Sequence, residues 1–383
     1  MNHLYIKAKQ FIFSDRIESG GYLHIYGDQI EGLIKEVPKN ATVIDYSQYT
    51  IAPGLIDTHI HGIAGVDVMD CNKEAILKMA EELLSCGVTA FLPTTLTSSE
   101  ENLISACSSI KEATLEENNG AEIVGIYMEG PYFTEKHKGA QNPIYFKDSS
   151  FSELDDWIKA SDNMIRKVAL AAERNNSNEY FSELKKRGIV GCIGHTDSTF
   201  SQCADSIDAG ASMFVHTFNG MSPLHHREPG AVGAAMYFEN TYAELIPDLM
   251  HVHPAAMEIL IRSKGVDHVC LISDCMRAGK MADGNYHLGE FVVKVEDGRA
   301  LTESGSLAGS TLQLLEGVKN VANLPSISLV SAFKMASLIP ARSINIDKTH
   351  GSLDSGKVAS FIVVDEELNL QASYVRGQRK WTK

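Results

Sequence analysis

Fourteen histidines are spread through the 383 residues, and a few stand where a metal ion could be held. His59 and His61 are two positions apart at the end of the run Pro-Gly-Leu-Ile-Asp-Thr-His-Ile-His, residues 53–61. Side chains two apart on a strand point the same way, so both rings can face one centre. Imidazole pairs suit zinc, iron(II) or manganese(II), although two satisfied surface histidines explain the spacing equally well when it is taken alone. Glu129 ends the apolar stretch Gly-Ile-Tyr-Met-Glu, residues 125–129, and is followed by Gly130-Pro131, which turns the chain. A carboxylate there must be paired, hydrogen-bonded or metal-bound to offset desolvation. His195 and His216 each close a further apolar run. One such histidine is more often a satisfied core residue, but two in succession weaken that reading. Asp274 closes Val269-Cys-Leu-Ile-Ser-Asp274. Its ordinary use is a turn or helix cap; the functional alternative is a carboxylate beside a metal, placed to shuttle protons.

These residues need a frame to bring them together. Apolar, strand-like runs occur at 51–59, 88–94, 123–129, 168–172, 189–195, 212–216, 242–249 and 268–274, with helical patterns between most of them. The clearest helix is 75–86, with Ile76, Leu77, Ala80, Leu83 and Leu84 on one face and Gly87 as its stop. Eight strands alternating with helices predict an α/β fold of the (β/α)8 TIM-like barrel type, in which chemistry gathers at the C-terminal strand ends. His59, His61, Glu129, His195, His216 and Asp274 all fall at such ends. Short strands at 4–8, 21–26 and 29–34, and again at 359–364 and 372–375, predict that the termini meet. The expected division is a small β-sandwich domain from residues 1–50 with 350–383, and a barrel hydrolase domain from 51–349.

A formal charge of −15 argues against nucleic-acid and anionic-membrane partners. The apolar share of 44% and charged share of 22% are those of an ordinary globular protein. Seven cysteines without a C-x-x-C pair fit a reducing cytosol rather than a disulfide framework. The first residues lack a signal-peptide pattern and no apolar run is long enough to span a bilayer, so the expected location is cytoplasmic.

Further segments carry a resemblance. Met128-Glu-Gly-Pro131, Gly194-His-Thr196, His216-Thr-Phe-Asn-Gly-Met-Ser-Pro223, His226-Arg-Glu-Pro-Gly230, Leu307-Ala-Gly-Ser310 and the closing segment 351–359, together with residues 53–61, resemble the amidohydrolase superfamily over essentially the whole chain. The resemblance implies a divalent metal (Zn, Fe or Mn) held by Glu129, His195 and His216, with Asp274 as catalytic acid/base. Because His59 and His61 are present, it favours two metals bridged by Glu129 over one. It implies a substrate pocket of Ala140, Gln141, Asn219, Gly220, Arg227, Asp248, His251, Leu307, Ala308 and Gly309, and a small amino-sugar phosphate, N-acetyl-D-glucosamine 6-phosphate, as the molecule deacetylated. It also implies a homodimer in which Arg227 reaches the neighbouring site and grips phosphate. Gln141 departs from the histidine that some members carry there, and it cannot carry a proton. Two rival readings are a cyclic-amide hydrolase, whose bridging carboxylated lysine would have to be Lys167 on the fourth strand, and a non-catalytic sugar-phosphate sensor. His225 and His226 read as loop or interface residues, and His137 as structural or solvated.

Overall fold

The computed structural model describes residues 3–303 and 305–383. Eight short parallel strands form its centre: β1 (Leu55–Ile60), β2 (Val88–Pro93), β3 (Ile126–Glu129), β4 (Ile165–Leu170), β5 (Val190–Ile193), β6 (Ala211–Phe214), β7 (Tyr242–Leu245) and β8 (Val269–Leu271). β3 to β8 pair in chain order, each parallel to the next. β1 pairs with β2, and single parallel bridges join β2 to β3 at Thr94–Tyr127 and β1 to the end of β8 at Ile60–Cys275. The result is a curled parallel sheet of the TIM-like barrel kind. The strands are shorter than the apolar runs that announced them: 242–249 is extended only over Tyr242–Leu245, and 268–274 only over Val269–Leu271. The residues beyond those limits are freed to turn into the barrel mouth.

Helices cover the outside. The helix predicted at 75–86 runs Lys73–Leu84, is started by the Asn72 side chain accepting from the Ala75 N–H, and stops before Gly87 at φ 76°. Its buried face includes Met79 with Ile76, Ala80, Leu83 and Leu84, whereas Leu77 is only half-buried. Burial of each of the larger side chains, Ile76, Met79, Leu83 and Leu84, stabilises by about 1.5–3 kcal/mol. Among the described residues, no helix is long and apolar enough to cross a membrane, and all seven cysteines are free thiols.

The termini do meet. Strands Gln378–Thr382, Leu370–Val375, Phe361–Val364, Val43–Pro53, His3–Ile12, Tyr22–Tyr26 and Gln29–Ile34 hydrogen-bond in that order, with Ile17–Ser19 beside His3–Ile12, as one eight-stranded sheet. It encloses an apolar cluster of its own that includes Ile6, Phe11, Leu23, Ile25, Phe361 and Tyr374. Val43–Pro53 feeds through Gly54 directly into β1, so the sheet and the first barrel strand share one continuous backbone. A three-stranded antiparallel flap, Gly284–Leu288, Phe291–Glu296 and Arg299–Thr302, stands between β8 and the last helices. Nothing in the periodicity of the chain had singled it out.

Gly54 sets how closely β1 approaches β2: a Cβ there would lie 2.1 Å from the Thr89 Oγ1. Gly54→Ala is expected to destabilise the fold by about 1–3 kcal/mol through overpacking, and Thr89→Ala in the same chain to recover part of the loss. Urea unfolding of the three variants measures this. An unchanged midpoint for Gly54→Ala would contradict the packing described.

Candidate metal centre and active site

The mouth of the barrel gathers the strand-end residues into one buried cluster. His59 lies within β1 and Glu129 ends β3, while His195, His216 and Asp274 follow β5, β6 and β8. Those last three hold left-handed backbone, with φ of 46°, 25° and 49°. Such conformations cost a non-glycine residue on the order of 1–3 kcal/mol and persist only where the surroundings over-determine them. Here they turn each side chain inward immediately after its strand.

Glu129 is the hub. Its Oε1 is 3.4 Å from His59 Nε2 and 3.3 Å from both His195 Nε2 and His216 Nε2, and its Oε2 is 3.3 Å from His61 Nε2. Asp274 Oδ1 lies 3.4 Å from His59 Nε2 and 3.2 Å from His61 Nε2. Two triads result, His59–His61–Asp274 and Glu129–His195–His216, each with its candidate donor atoms within 4.8 Å of one another.

The far side of each ring is also engaged. His61 Nδ1 donates to the Thr94 carbonyl at 3.2 Å, His195 Nδ1 to the His137 carbonyl at 2.9 Å, and His216 Nδ1 to the Asn219 carbonyl at 3.0 Å. His59 Nδ1 donates to Glu244 Oε2 at 3.0 Å. Those oxygens can only accept, so Nδ1 carries a proton in all four rings and every Nε2 is turned to the hub. This is the support that metal-ligating histidines receive. His195 Nε2 and His216 Nε2 stand 3.2 Å apart, too close for two N–H groups to face each other, and His59 Nε2 has no hydrogen-bond partner. Nitrogen and carboxylate donors in this arrangement fit a divalent cation of the zinc, iron or manganese class.

Without a cation, protons balance the same charges. Burial opposes ionisation of Glu129, but His59, His195 and His216 outweigh it and hold the carboxyl well below its usual range. Burial is likewise outweighed at Asp274, which His59 and His61 hold at about 2. Burial would lower His59, yet Glu129, Asp274 and Glu244 raise it to about 9, and the same two site carboxylates raise His61 well above its ordinary value.

A cavity of about 330 Å³ opens above the cluster. Of the residues expected there, Ala140, Gln141, Asn219, Gly220, His251, Leu307 and Gly309 line it, as do His61, Glu129, His195, His216 and Asp274. His59 lies behind it. Asp248 stands behind His251, accepting from its Nδ1 at 2.6 Å, and Ala308 is buried in an apolar cluster with Leu288 of the flap. Arg227 is exposed, donates to His226 Nε2 at 3.0 Å, and does not line this chain's cavity. The Asn219 Nδ2 is a buried donor without a partner. Gln141 is held between two groups: its Oε1 accepts from the Thr97 N–H at 2.9 Å and its Nε2 donates to Glu129 Oε2 at 2.6 Å.

Several participants lie outside the expected site residues. His137 lines the cavity and supplies the carbonyl that orients His195. Leu96, Gly139, Leu288 and Ser306 complete the lining. Glu244 and Lys167 form a fully buried ion pair beneath His59. A glutamate inside the apolar strand 242–245 was the available signal, and the alternation at 291–296 was a weak one for the flap; for His137 there was none.

Residues 50–381 match the amidohydrolase family. The chain is 41% identical to N-acetylglucosamine-6-phosphate deacetylase of Vibrio furnissii, over 89% of this chain and 85% of that one. It is 39% identical to N-acetylgalactosamine-6-phosphate deacetylase of Escherichia coli O157:H7, over 92% of each. A mutant of N-acetyl-D-glucosamine-6-phosphate deacetylase from Mycobacterium smegmatis, solved in complex with N-acetyl-D-glucosamine-6-phosphate, superposes with a TM-score of 0.93 at 26% identity, covering all of both chains.

A cation must displace protons from His59 and His61. Zinc affinity is therefore expected to climb as pH rises from the ordinary histidine value of 6.5 towards about 9, with protons released on binding. Chelator-buffered titrations and a pH indicator measure both, and a pH-independent affinity would contradict the charge balance. The metal-free fold should behave in the opposite sense. His59 has a raised folded value, so its contribution is complete below 6.5 and is lost as pH climbs through about 9.

Proposed function

The chain belongs to the amidohydrolase family, and on that premise we propose that it hydrolyses N-acetyl-D-glucosamine 6-phosphate to acetate and D-glucosamine 6-phosphate. The observation that carries this reading is the convergence of four imidazole Nε2 atoms and two carboxylates at, and for His59 just behind, the floor of a sugar-sized cavity. Glu129, His195 and His216 would hold one divalent cation, and His59, His61 and Asp274 would hold a second with Glu129 shared between them. When bound, such a cation supplies Lewis acidity, bringing the pKa of water from ~15.7 to roughly 7 and polarising the acetyl carbonyl.

The chain's own residues supply the proton transfers. Asp274 is ionised at neutral pH, being held at about 2, so it enters as a base and accepts a proton from the attacking water. As the C–N bond breaks, it returns that proton to the departing nitrogen, because an amine leaves poorly until protonated. The oxygen of the water ends in acetate. Gln141 keeps Glu129 in one orientation throughout and takes no proton.

The cavity wall is suited to the rest of the sugar phosphate. His251 is oriented by Asp248, and the unpaired Asn219 Nδ2 offers a donor to a hydroxyl or phosphate oxygen. Arg227 completes phosphate binding from a second copy of the chain; its exposure, with that of Leu224 three residues before it, supports a homodimer. Residues 1–50 with 350–383 act as the small β-domain that carries the barrel of 51–349. Free thiols and an acidic chain suit the cytosol.

The cyclic-amide reading meets an obstacle at Lys167. Its ammonium is paired with Glu244 and donates to the Thr58 carbonyl at 3.2 Å, so it is not placed to bridge metals as a carbamate. The galacto epimer is the closer competitor, given the relative of that name. Acetate release from the two N-acetylhexosamine 6-phosphates, side by side, tests the assignment. A larger kcat/KM for the gluco sugar is expected, and turnover of the galacto sugar alone would reverse it. Asp274→Asn should lower kcat by about 10²–10⁴-fold, and unchanged turnover would remove the proposed acid/base. Arg227→Ala should raise KM for the phosphorylated sugar by about 10–100-fold while leaving the unphosphorylated sugar little changed. Equal effects on both would remove Arg227 from phosphate binding.

A further inference from the structure

Below the cluster lies a charge pair that takes no part in the reaction just described. Lys167 of β4 and Glu244 of β7 are both fully buried inside the barrel and joined as an ion pair. Both carboxylate oxygens of Glu244 are engaged. Oε1 receives the Lys167 ammonium, while Oε2 accepts from His59 Nδ1 at 3.0 Å and from the His216 backbone N–H at 3.3 Å. Lys167 is equally constrained: besides Glu244 it donates to the Thr58 carbonyl of β1 and lies 4.0 Å over the ring of Tyr127 on β3. The Tyr127 ring in turn meets His59 edge-on, with centroids 4.9 Å apart. One lysine thus ties β1, β3 and β7 to the carboxylate behind His59.

Buried ion pairs are a poor source of stability, and well-packed apolar residues of similar volume often serve the fold as well or better. The pair therefore calls for a use other than holding the barrel together. An imidazole can present either nitrogen, and the choice is set by the hydrogen bond its other nitrogen makes. Of the four site histidines, only His59 is anchored by a side-chain carboxylate rather than a backbone carbonyl.

We propose that Glu244, its buried charge balanced by Lys167, is a positioning residue that keeps the proton on His59 Nδ1 and commits Nε2 to the cation. The inference rests on the metal-centre reading above. Its test uses the zinc-loaded protein labelled with ¹⁵N-histidine. Long-range ¹H–¹⁵N spectra of the wild type should show His59 with its proton on Nδ1 and zinc on Nε2; coordination through Nδ1 overturns the proposal without any variant.

Two double variants then separate positioning from packing. Lys167→Met with Glu244→Leu removes the acceptor and both charges together, avoiding a lone buried ammonium. It should keep its circular dichroism while the zinc held by His59 weakens by about 10–100-fold in chelator competition. Lys167→Met with Glu244→Gln retains a side-chain carbonyl that can accept from Nδ1–H, and should recover most of that affinity. Native zinc affinity in the leucine variant, or equal losses in both, overturns the proposal. A wild-type chain that takes up no zinc would instead sink the metal reading itself, and that is measured before any variant is made.

Discussion

Two carboxylates and four imidazoles lie within about hydrogen-bonding distance of one another in a site almost closed to water. In such surroundings a charge cannot be left uncompensated, since the effective penalty is several kcal/mol per ion. Either protons on the histidines or a cation among the Nε2 atoms must balance Glu129 and Asp274. The surrounding architecture meets that requirement. The Nδ1 anchors determine which nitrogen faces inward, Gln141 prevents Glu129 from turning away, and the strand ends of β5, β6 and β8 accept unfavourable backbone angles to bring their side chains to the hub.

Chemistry and recognition occupy different parts of the molecule. The reacting groups sit on or shortly after strands, whose hydrogen-bonded ladders fix where each side chain leaves the backbone. The cavity wall comes from longer connections: the segment 137–141, the turn at 219–220, His251, and 306–309 under the flap. The flap is pinned to the first of these by Asn142 and Tyr145 on Glu290, and packs Leu288 against Leu96, Ala140 and Ala308. Two of these loops also reach down to the centre, through the His137 and Asn219 carbonyls and the Gln141 amide, so a change of sugar preference is least disruptive at His251 and 306–309. This is the usual economy of a barrel with its functional groups at one end.

How much of this was legible in the linear chain follows from the range of each interaction. The alternation of apolar strands with amphipathic helices, the H-x-H spacing of His59 and His61, and a glutamate ending an apolar run before Gly-Pro are local patterns, and all six central residues were legible from them. The terminal strands could likewise be seen to belong together from their composition. Gln141 was visible as a polar residue of the right segment, but not as a group facing Glu129 rather than open cavity. His137 reads as structural or solvated, because nothing local reveals that its carbonyl orients a ring 58 residues away. The flap at 284–302 lay in a stretch whose alternation is half exposed and easily passed over.

The sequence by itself determined the residue types, the order of strands and helices, and hence which side chains would arrive at one end of a barrel, because periodicity and strand-end position are encoded within a few neighbours. Only the tertiary structure decided how those side chains meet. Lys167 and Glu244 are 77 positions apart, and Arg227 points to solvent instead of into its own cavity. Ring orientation, the pairing of buried charges and the course of the loops depend on which distant groups share a small, poorly hydrated space, and that is settled when the chain closes on itself.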